Sequence, residues 1–352
     1  MNISSFIRRS NMRIEQLREL ALLFIIILIV LFFGSQIPRY FTGTTFERVG
    51  VNVSIIVVVA VGMTLVVLTR NIDLSVGSTV GLIAFVVGQQ LSDHHNLSPV
   101  LAVLLAIGIG TLLGMLNGLI VAFGKVPAIV TTLGTLAIYR GLLFAYANST
   151  SIHTQNLPGW IIDLPRVKVL TIGDLNITFL VATAIVIVVI FQLALIYSPS
   201  ARRLYAIGSD PETALTSGIP QRRLVFFAFT ICGALAGLGG FMYLAQIGTI
   251  TTVAAQGLEL EVVAAVVLGG VSTLGGTGRV IGALLGAVLV GIIEQGLVRM
   301  QFNEFWKQAI EGLAILIAVV SDSALRTRLR ISLSHNQAMP ISTETEKAGP
   351  TL

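Results

Sequence analysis

Stretches of about 20 mostly apolar residues recur along this 352-residue chain, and they constrain its fold more than any other feature. A helix needs about that length to cross the roughly 30 Å hydrocarbon core of a bilayer. Charged residues make up only 11% of the chain and hydrophobic residues 55%, whereas about 25% of the residues in a soluble domain are charged. The sequence therefore predicts an all-α, polytopic bundle of transmembrane helices.

The apolar stretches predict about ten spans. They lie near residues 18–36, 49–69, 76–91, 99–123, 127–147, 176–197, 222–246, 258–272, 280–298 and 305–321. The third and the eighth are short and border polar, glycine-rich sequence, which is typical of the interrupted helices of transporters. We expect a cytoplasmic segment over residues 1–17, a transmembrane domain over 18–322 and a disordered cytoplasmic tail over 323–352.

Basic residues predict which ends of the spans face the cytoplasm. With ten spans and the amino terminus inside, fifteen Lys and Arg residues fall on the cytoplasmic side and six on the other side. Both termini are therefore expected inside, together with the polar segment 198–223, which separates two apolar stretches. The long loop 148–175 would lie outside as an ordered cap. The net charge of +5 fits this orientation of the chain in a membrane better than nucleic-acid binding.

Polar residues in or beside the apolar stretches are the candidates for a translocation path, because a charge at the centre of a spanning helix costs about 2.5–3.5 kcal/mol. The candidates are Asn71, Asp73, Ser75, Asn117, Thr131, Thr132, Glu259 and Glu261, with Arg140 and Gln246 as further polar positions. Two interpretations of Asp73 are open, a place on the path or a helix cap at the membrane surface. Glu259 and Glu261 open a short helix, where the helix dipole alone can account for carboxylates.

Catalytic motifs are absent from the sequence. The four histidines lie in predicted loops or in the tail, and neither HExxH nor GxSxG occurs. The glycines at 275–278 lack the lysine of a nucleotide-binding loop, and the single cysteine, Cys232, excludes an intramolecular disulfide. We expect no enzymatic activity, no metal site and no bound cofactor.

Four motifs, which occur in the same order as in a known family, sharpen this interpretation. They are TRNIDLSVGS (69–78), KVPAIVTTLGTLAIYRG (125–141), ARRLYAIGSDPETALTSGI (201–219) and GLELEVVAAVVLGGVSTLGGTGRVIGALLGA (257–287). Over about residues 20–322 the chain resembles the membrane permease subunits of bacterial ABC sugar importers. More narrowly, it resembles the ribose, rhamnose and autoinducer-2 group.

This resemblance implies that two permeases, identical or sister subunits, form a pathway among the lipids of the bacterial inner membrane. A cytoplasmic ATPase that uses ATP and Mg would drive them, and a periplasmic sugar-binding protein would deliver the ligand. The implied ATPase-coupling element is segment 205–219. The predicted coupling residues are Arg203, Tyr205, Gly208, Glu212, Ala214 and Gly218. The four from Gly208 onward match the pattern of the family.

Two features of this segment depart from the family pattern. Members usually carry two alanines where this chain has Ala214 and Leu215, so we expect the packing against the ATPase to differ in detail. Arg202 and Arg203 stand where Gly-Arg is common. Their role, as partner contacts or as topology anchors, is open.

The residues alone leave two other transport classes open. An ion-coupled secondary transporter of a small polar solute would carry protons through Asp73, Glu259 or Glu261 and would need no partner subunit. A passive channel would need neither ATP nor a gradient. The polar segment 198–223 and the lack of a chain of buried carboxylates favour the ATP-driven class, whereas nothing in the sequence identifies one sugar.

Overall fold

A computed structural model describes residues 3–303 and, beyond them, only residues 306, 309–310, 312–313 and 316. Side chains are described from Arg18 onward, apart from that of Ile172. The predicted span 305–321 therefore lies largely outside the described residues, and the predicted tail 323–352 lies wholly outside them.

The described chain is mostly helical. Its helices and strands, in chain order, are α1 (Ile3–Gln36), α2 (Gly43–Leu68), α3 (Val76–Asp93), α4 (Pro99–Ala122), α5 (Ala128–Ala147), α6 (Gly159–Asp163), β1 (Lys168–Ile172), β2 (Leu175–Thr178), α7 (Phe179–Tyr197), α8 (Pro199–Ser209), α9 (Pro211–Thr216), α10 (Gln221–Ile247), α11 (Leu258–Leu268) and α12 (Val280–Arg299). Two 3₁₀ turns, Thr154–Asn156 and Leu164–Arg166, flank α6.

Seven of the described helices are long and apolar enough to cross a membrane. They are α1 from Arg18 onward, α2, α4, α5, α7, α10 and α12, and each coincides with a predicted span. The third and eighth predicted spans correspond to α3, with 18 residues, and α11, with 11 residues. The total of ten spans and the orientation of the termini stay predictions.

Helix α2 lies at the centre of the bundle. Every residue from Val53 to Leu68 is buried, and α7, α10, α11 and α12 pack around it. Its sequence is apolar on all sides, which is typical of a helix enclosed by other helices. Helix α2 is therefore the core of the bundle, and each of its two ends lies at one end of the bundle.

Glycines bring α4 and α10 into backbone contact. Gly110 and Gly114 of α4 face Gly233 and Gly237 of α10, and a Cβ atom on Gly114 would lie only 2.8 Å from the Cα atom of Gly233. Small residues four positions apart allow such close packing in lipid, where apolar burial does not drive helices together. The same arrangement joins the end of α11 to α12, where Gly269 faces Gly282 and Gly286 faces Ala265.

Helices α2 and α11 end alike. Both finish in Val-Val-Leu, at 66–68 and 266–268, and in each case the two amides that close the turn donate back to helix carbonyls over 2.9 to 3.3 Å. This is the Schellman pattern, which places one residue in the left-handed region. After α11 that residue is Gly270, with φ +81°, whereas after α2 it is Arg70, with φ +66°.

The loops gather at two opposite ends of the bundle. The knob, residues 199–219, comprises α8 and α9 and lies at one end, beside the chain breaks that follow α2 and α11. We call this the knob end. The other is the hairpin end, where β1 and β2 pair and where Ile152 and Ile250 form a β-bridge.

The loop 148–175 is ordered against the hairpin end, as expected of a cap. Its Trp160 stacks on Phe241 of α10 with 6.3 Å between ring centroids. The all-α prediction omits one small element here, because β1 and β2 form an antiparallel hairpin. Only two residues join the strands, and the first, Gly173, has φ +60°, as tight hairpin turns require.

Candidate functional site

Three of the predicted path residues meet in a buried polar cluster. The hydroxyl and the amide of Ser75 donate to Asp73 Oδ1 over 2.6 and 3.0 Å, and Asn117 Nδ2 donates to Ser75 Oγ over 2.8 Å. The Tyr139 hydroxyl lies 3.3 Å from Asn117 Oδ1. Asp73 is only 2% exposed, and its carboxylate holds the turn that starts α3, which fits the capping interpretation.

Three more predicted residues lie close to this break without joining the cluster. Asn71 donates to the carbonyl oxygen of Thr69 over 2.9 Å. The Thr132 hydroxyl donates to the carbonyl oxygen of Ala128, in its own helix, over 2.8 Å, and lies 3.3 Å from that of Ile72 in the break. Thr131 is buried, and its hydroxyl has no hydrogen-bond partner among the described residues. Hydroxyls that bond within their own helix are satisfied locally, so these contacts do not by themselves build a ligand site.

The two predicted carboxyl groups of α11 lie in different surroundings. Glu259 faces the first turns of α3, since a Cβ atom on Gly77 would meet its Oε2 atom. That atom is buried and has no hydrogen-bond partner within the described part of the chain. Arg140 of α5 interacts with Glu259 electrostatically and donates to the carbonyl oxygen of Ala254 over 2.6 Å. Arg140 therefore bonds inside the bundle rather than extending to solvent.

Glu261 lines a cavity of about 270 Å³ between α2, α10, α11 and α12. The polar side chains around this cavity are Asn52, Tyr243, Gln246, Gln256, Glu261 and Glu294. The Gln246 side-chain amide donates to Asn52 Oδ1 and so joins α10 to α2, while its own Oε1 atom is buried without a partner among the described residues. Of the eight predicted path residues, Glu261 alone lines the cavity.

Most of the polar side chains around this cavity were not among the residues predicted from the sequence to line a translocation path. Asn52 lies three residues inside the predicted span 49–69, and Glu294 lies near the end of the predicted span 280–298. A polar residue within a span is a signal of function. Gln256 gave no signal, because it lies in the loop before α11 and reaches the cavity only through the fold.

The six residues predicted to contact an ATPase divide into two groups. Arg203, Glu212 and Gly218 are exposed on the knob. Gly208 and Ala214 are buried and Tyr205 is half-buried, because they face the bundle. This second group anchors the knob and does not form its outer surface.

Local sequence explains the ends of α9. At its start Asp210 Oδ1 accepts hydrogen bonds from the amides of Glu212 and Thr213, both over 3.1 Å. At its end the amide of Gly218 donates to Leu215 and that of Ile219 to Ala214, both over 3.0 Å, with Gly218 at φ +74°. Glycine is the residue that most readily adopts this left-handed conformation at the end of a helix.

The Asp210 carboxylate also accepts a hydrogen bond of 2.6 Å from the Thr213 hydroxyl. This bond, followed by those from the backbone amides, holds the pKa of Asp210 below its ordinary value. A lowered folded-state pKa means that the cap persists above that pKa and is lost only as the pH falls through it. The start of α9 is therefore fully capped at neutral pH.

Hydrogen bonds tie the carboxyl end of α8 to the break after α2. Arg70 Nε donates to the carbonyl oxygen of Gly208 over 2.6 Å, and Arg70 Nη2 donates to that of Ser209 over 2.8 Å. Gly208 packs so closely that a Cβ atom there would meet the carbonyl oxygen of Leu68. Arg70 has a left-handed backbone, with φ +66°, and its side chain reaches the knob through these two bonds.

A second set of bonds ties the knob to the loop between α11 and α12. The Tyr205 hydroxyl donates to the carbonyl oxygen of Gly278 over 2.9 Å. In the same loop, the amide of Gly276 donates to the carbonyl oxygen of Leu68, at the end of α2, over 3.1 Å. The knob, the α2 break and the α11 break therefore form one hydrogen-bonded unit.

Comparisons with known proteins agree with this architecture. Residues 45–319 match the family described as branched-chain amino acid transport system / permease component. The curated relatives include the autoinducer 2 import system permease protein LsrC of Photorhabdus luminescens, which is 37% identical over 311 residues, 88% of this chain and 90% of the relative. The LsrC proteins of Enterobacter sp. (strain 638) and Salmonella typhi are 38% and 36% identical, over 86% and 91% of this chain and 87% and 90% of their own lengths. No solved structure matches the chain.

The family match spans α2 to α12 and so includes the central helix, both breaks, the knob and the cavity. With seven helices fit to cross a bilayer, the chain is a multi-pass protein of the bacterial inner membrane. The chain belongs to the family of branched-chain amino acid transport system permease components.

Proposed function

We propose that this chain is the membrane permease of an ATP-driven importer for autoinducer 2 or a closely similar small, hydroxyl-rich molecule. Its relatives at 36–38% identity are named as permeases of autoinducer 2 import systems. The observation that carries the proposal is the hydrogen-bonded unit of the knob and both breaks. In an ATP-driven permease, such a link would pass a rigid-body movement of the knob to the interrupted helices.

The exposed face of the knob is the proposed docking surface for the ATPase. Leu215 of α9 is 65% exposed, and together with Phe123 and Ile219 it borders a groove of about 450 Å³ at the knob end. Burying this exposed leucine in a partner's pocket would remove its apolar surface from water, which is favourable. Leu215 also stands where similar permeases usually have alanine, so it would be a contact particular to this chain.

The proposed cycle is alternating access. ATP and Mg bound by the partner ATPase bring its nucleotide modules together, and the attached knobs move relative to the spans. The bonds to Gly208 and Ser209 then carry that movement to the α2 break, and the Tyr205 bond carries it to the loop before α12. A periplasmic binding protein would deliver the ligand at the hairpin end, and a second permease, identical or sister, would complete the pathway.

Co-purification tests the ATPase contact. The tagged chain, extracted from its native membrane in mild detergent, should bring with it an ABC ATPase. Leu215→Asp should abolish this association without unfolding the chain, because the side chain is already mostly in solvent. His95→Asp is the matched control, since His95 is exposed in the loop after α3, at the hairpin end.

Two results would count against the proposal. One is the absence of any ATPase from the purified wild-type chain even after crosslinking. The other is equal recovery of the ATPase with Leu215→Asp and with the wild type. The first would reject the importer assignment as a whole, and the second would reject α9 as the docking surface.

A further inference from the structure

We propose that the bundle binds one anionic phospholipid at its knob end, with its acyl chains in a groove between α7 and α10 and its phosphate at Arg223. We call this space the lipid groove, and the residues that define it are Leu65, Phe191, Leu195, Leu224, Phe227 and Arg223. The inference requires only that the chain lies in a membrane. It therefore goes beyond the proposed function and can fail or succeed separately from it.

The packing of the helices creates the lipid groove. Helices α7 and α10 both pack on α2, and the groove separates them toward the knob end, with Leu65 of α2 as its floor and Leu204 of α8 at its end. Phe227 is 55% exposed and lies at its mouth. The space encloses about 390 Å³, within the range of about 300–1,000 Å³ that is usual for ligand pockets. It is therefore large enough to hold part of a lipid.

The depth of the lipid groove matches the acyl chains of one leaflet. Along α10 its lining runs from Arg223 to Ile231, which is about 12 Å at the rise of an α-helix. Along α7 it runs from Ser198 back to Phe191, about 10 Å. One leaflet contributes about 15 Å of hydrocarbon, and both helices are long and apolar enough to span it. The apolar walls therefore lie at the depth of lipid tails.

Polar groups lie at only one end of the lipid groove. Ser198, Ser200 and Arg223 line it where α7 ends and α10 begins, which is the level of the lipid headgroups. Arg223 is exposed and makes no hydrogen bond or ion pair with another described residue. No acidic side chain occurs in the lining that the structure describes. A free guanidinium beside two hydroxyls is suited to a phosphate group.

Further positive charge surrounds this end of the groove. Arg203 follows Ser200 by three residues on α8 and so lies beside it on the helix surface. Arg202 and Arg222 neighbour Arg203 and Arg223 in the sequence, and all four arginines are exposed. Basic pockets between transmembrane helices bind the headgroups of anionic lipids. The charge therefore selects an anionic phospholipid over a zwitterionic one.

The proposed ATPase is the other candidate to cover Arg223, since this residue also borders the groove beside Leu215. The lipid groove, however, continues from Arg223 into the spans as far as Ile231, where a soluble partner would have to place its polar backbone in hydrocarbon. Arg222 borders only the groove beside Leu215. The two neighbouring arginines therefore distinguish a lipid from a protein contact.

Native mass spectrometry of the full-length chain, purified in mild detergent with its co-purifying partners, tests the proposal. The chain is titrated with phosphatidylglycerol or with phosphatidylcholine of the same acyl chains, and the dissociation constant of the first bound lipid is measured. Phosphatidylglycerol should bind more tightly. Arg223→Gln should weaken its binding about fivefold, the contribution of one arginine at a membrane surface, and leave phosphatidylcholine unaffected. Arg222→Gln is the matched control and should weaken it less than about twofold.

A second pair of variants tests the apolar walls. Ala194 of α7 lines the lipid groove and is half-buried, so Ala194→Phe should fill the groove and weaken phosphatidylglycerol binding several-fold. Ala182→Phe is its control, because Ala182 is also half-buried on α7 but lies outside the groove. Glycerol 3-phosphate, which carries the phosphate without the acyl chains, should not displace the lipid at equal concentration, because it cannot bury apolar surface.

Equal affinities for the two lipids, or equal effects of Arg223→Gln and Arg222→Gln, would overturn the proposal. Displacement by glycerol 3-phosphate would show a site for free phosphate and would also overturn it. Loss of a co-purifying ATPase with Arg223→Gln, while phosphatidylglycerol binding is unchanged, would identify a protein contact in its place. The expected lipid affinities in a chain from which no ATPase co-purifies would uphold the lipid site and reject the proposed function.

Discussion

Arg70 is the residue whose replacement tests the mechanical link most sharply. Its guanidinium donates to the carbonyl oxygens of Gly208 and Ser209. A hydrogen bond from a charged donor contributes about 1.5–3 kcal/mol when shielded from water, but Arg70 is exposed and exposed ionic contacts contribute only about 0–1 kcal/mol. For the pair of bonds we therefore take about 1–2 kcal/mol, a factor of about 5–30 in the equilibrium between attached and detached knob.

Arg70→Met removes both hydrogen-bond donors. Methionine has the same steric cost as arginine in the left-handed conformation, so the backbone at residue 70 is affected equally in both proteins. The expected result is a fall of about 5-fold or more in molecules imported per ATP hydrolysed, with ATP hydrolysis and protein yield largely kept. The number of molecules imported per ATP hydrolysed by Arg70→Lys should lie between the values for Arg70→Met and the wild type. A single ammonium group cannot reproduce the two bonds that the planar guanidinium donates. The assay is uptake and hydrolysis measured together in proteoliposomes that contain the assembled importer.

Arg39→Met is the matched control, because Arg39 is also exposed and left-handed, with φ +56°, but lies at the hairpin end. It should leave the ratio unchanged. The reasoning is refuted if Arg70→Met keeps the wild-type ratio of uptake to hydrolysis. A proportional loss of both activities would likewise show that Arg70 supports assembly and not transmission.

Three further predictions follow from the same contacts. Gly208→Ala should lower the thermal unfolding temperature in detergent clearly more than Gly218→Ala. A Cβ atom at Gly208 meets backbone atoms of Leu68 and Gly276, and such overpacking costs about 1–3 kcal/mol, whereas Gly218 has open space around it and only its φ of +74° strains an alanine. Equal shifts in the two unfolding temperatures would contradict this. Asp73→Asn keeps the shape and an acceptor for Ser75, so ATP-driven uptake should persist, and its abolition would favour a proton-carrying Asp73. Asp210→Ala should weaken co-purification of the ATPase by removing the cap of α9, while Asp210→Asn should retain it, because Asn caps as well as Asp; identical behaviour of the two variants would exclude the cap as the cause.

Much of the fold could be predicted because spanning helices are set by one local quantity, the length of an apolar run. All seven long helices coincide with predicted spans, with ends that agree to within a few residues except at the start of α1 and α2. The predicted span at 258–272 runs too far, because α11 stops at Leu268 before the glycines. The β-hairpin was missed, since its two short strands in a predicted loop gave no membrane-length signal.

The candidate site was less accessible to sequence reasoning. A cavity depends on which faces of four helices meet, and single residues such as Asn52 and Glu294 do not reveal their neighbours. The inward orientation of Gly208 could have been inferred, since Leu204, Ile207 and Gly208 recur at helical spacing on one face of α8. The left-handed conformation of Arg70 had no local signal, because glycine is the usual residue at that position of the turn.

Autoinducer 2 uptake into proteoliposomes is the most direct test of the central claim. The vesicles would contain this chain, its co-purifying permease and ATPase partners and ATP, with the binding protein outside, and uptake would be measured with and without a protonophore. The account predicts uptake that requires ATP, survives the protonophore and is lost with Leu215→Asp. Uptake that proceeds without the ATPase, or that collapses when the proton gradient is dissipated, would contradict it and would identify the chain as a gradient-driven transporter.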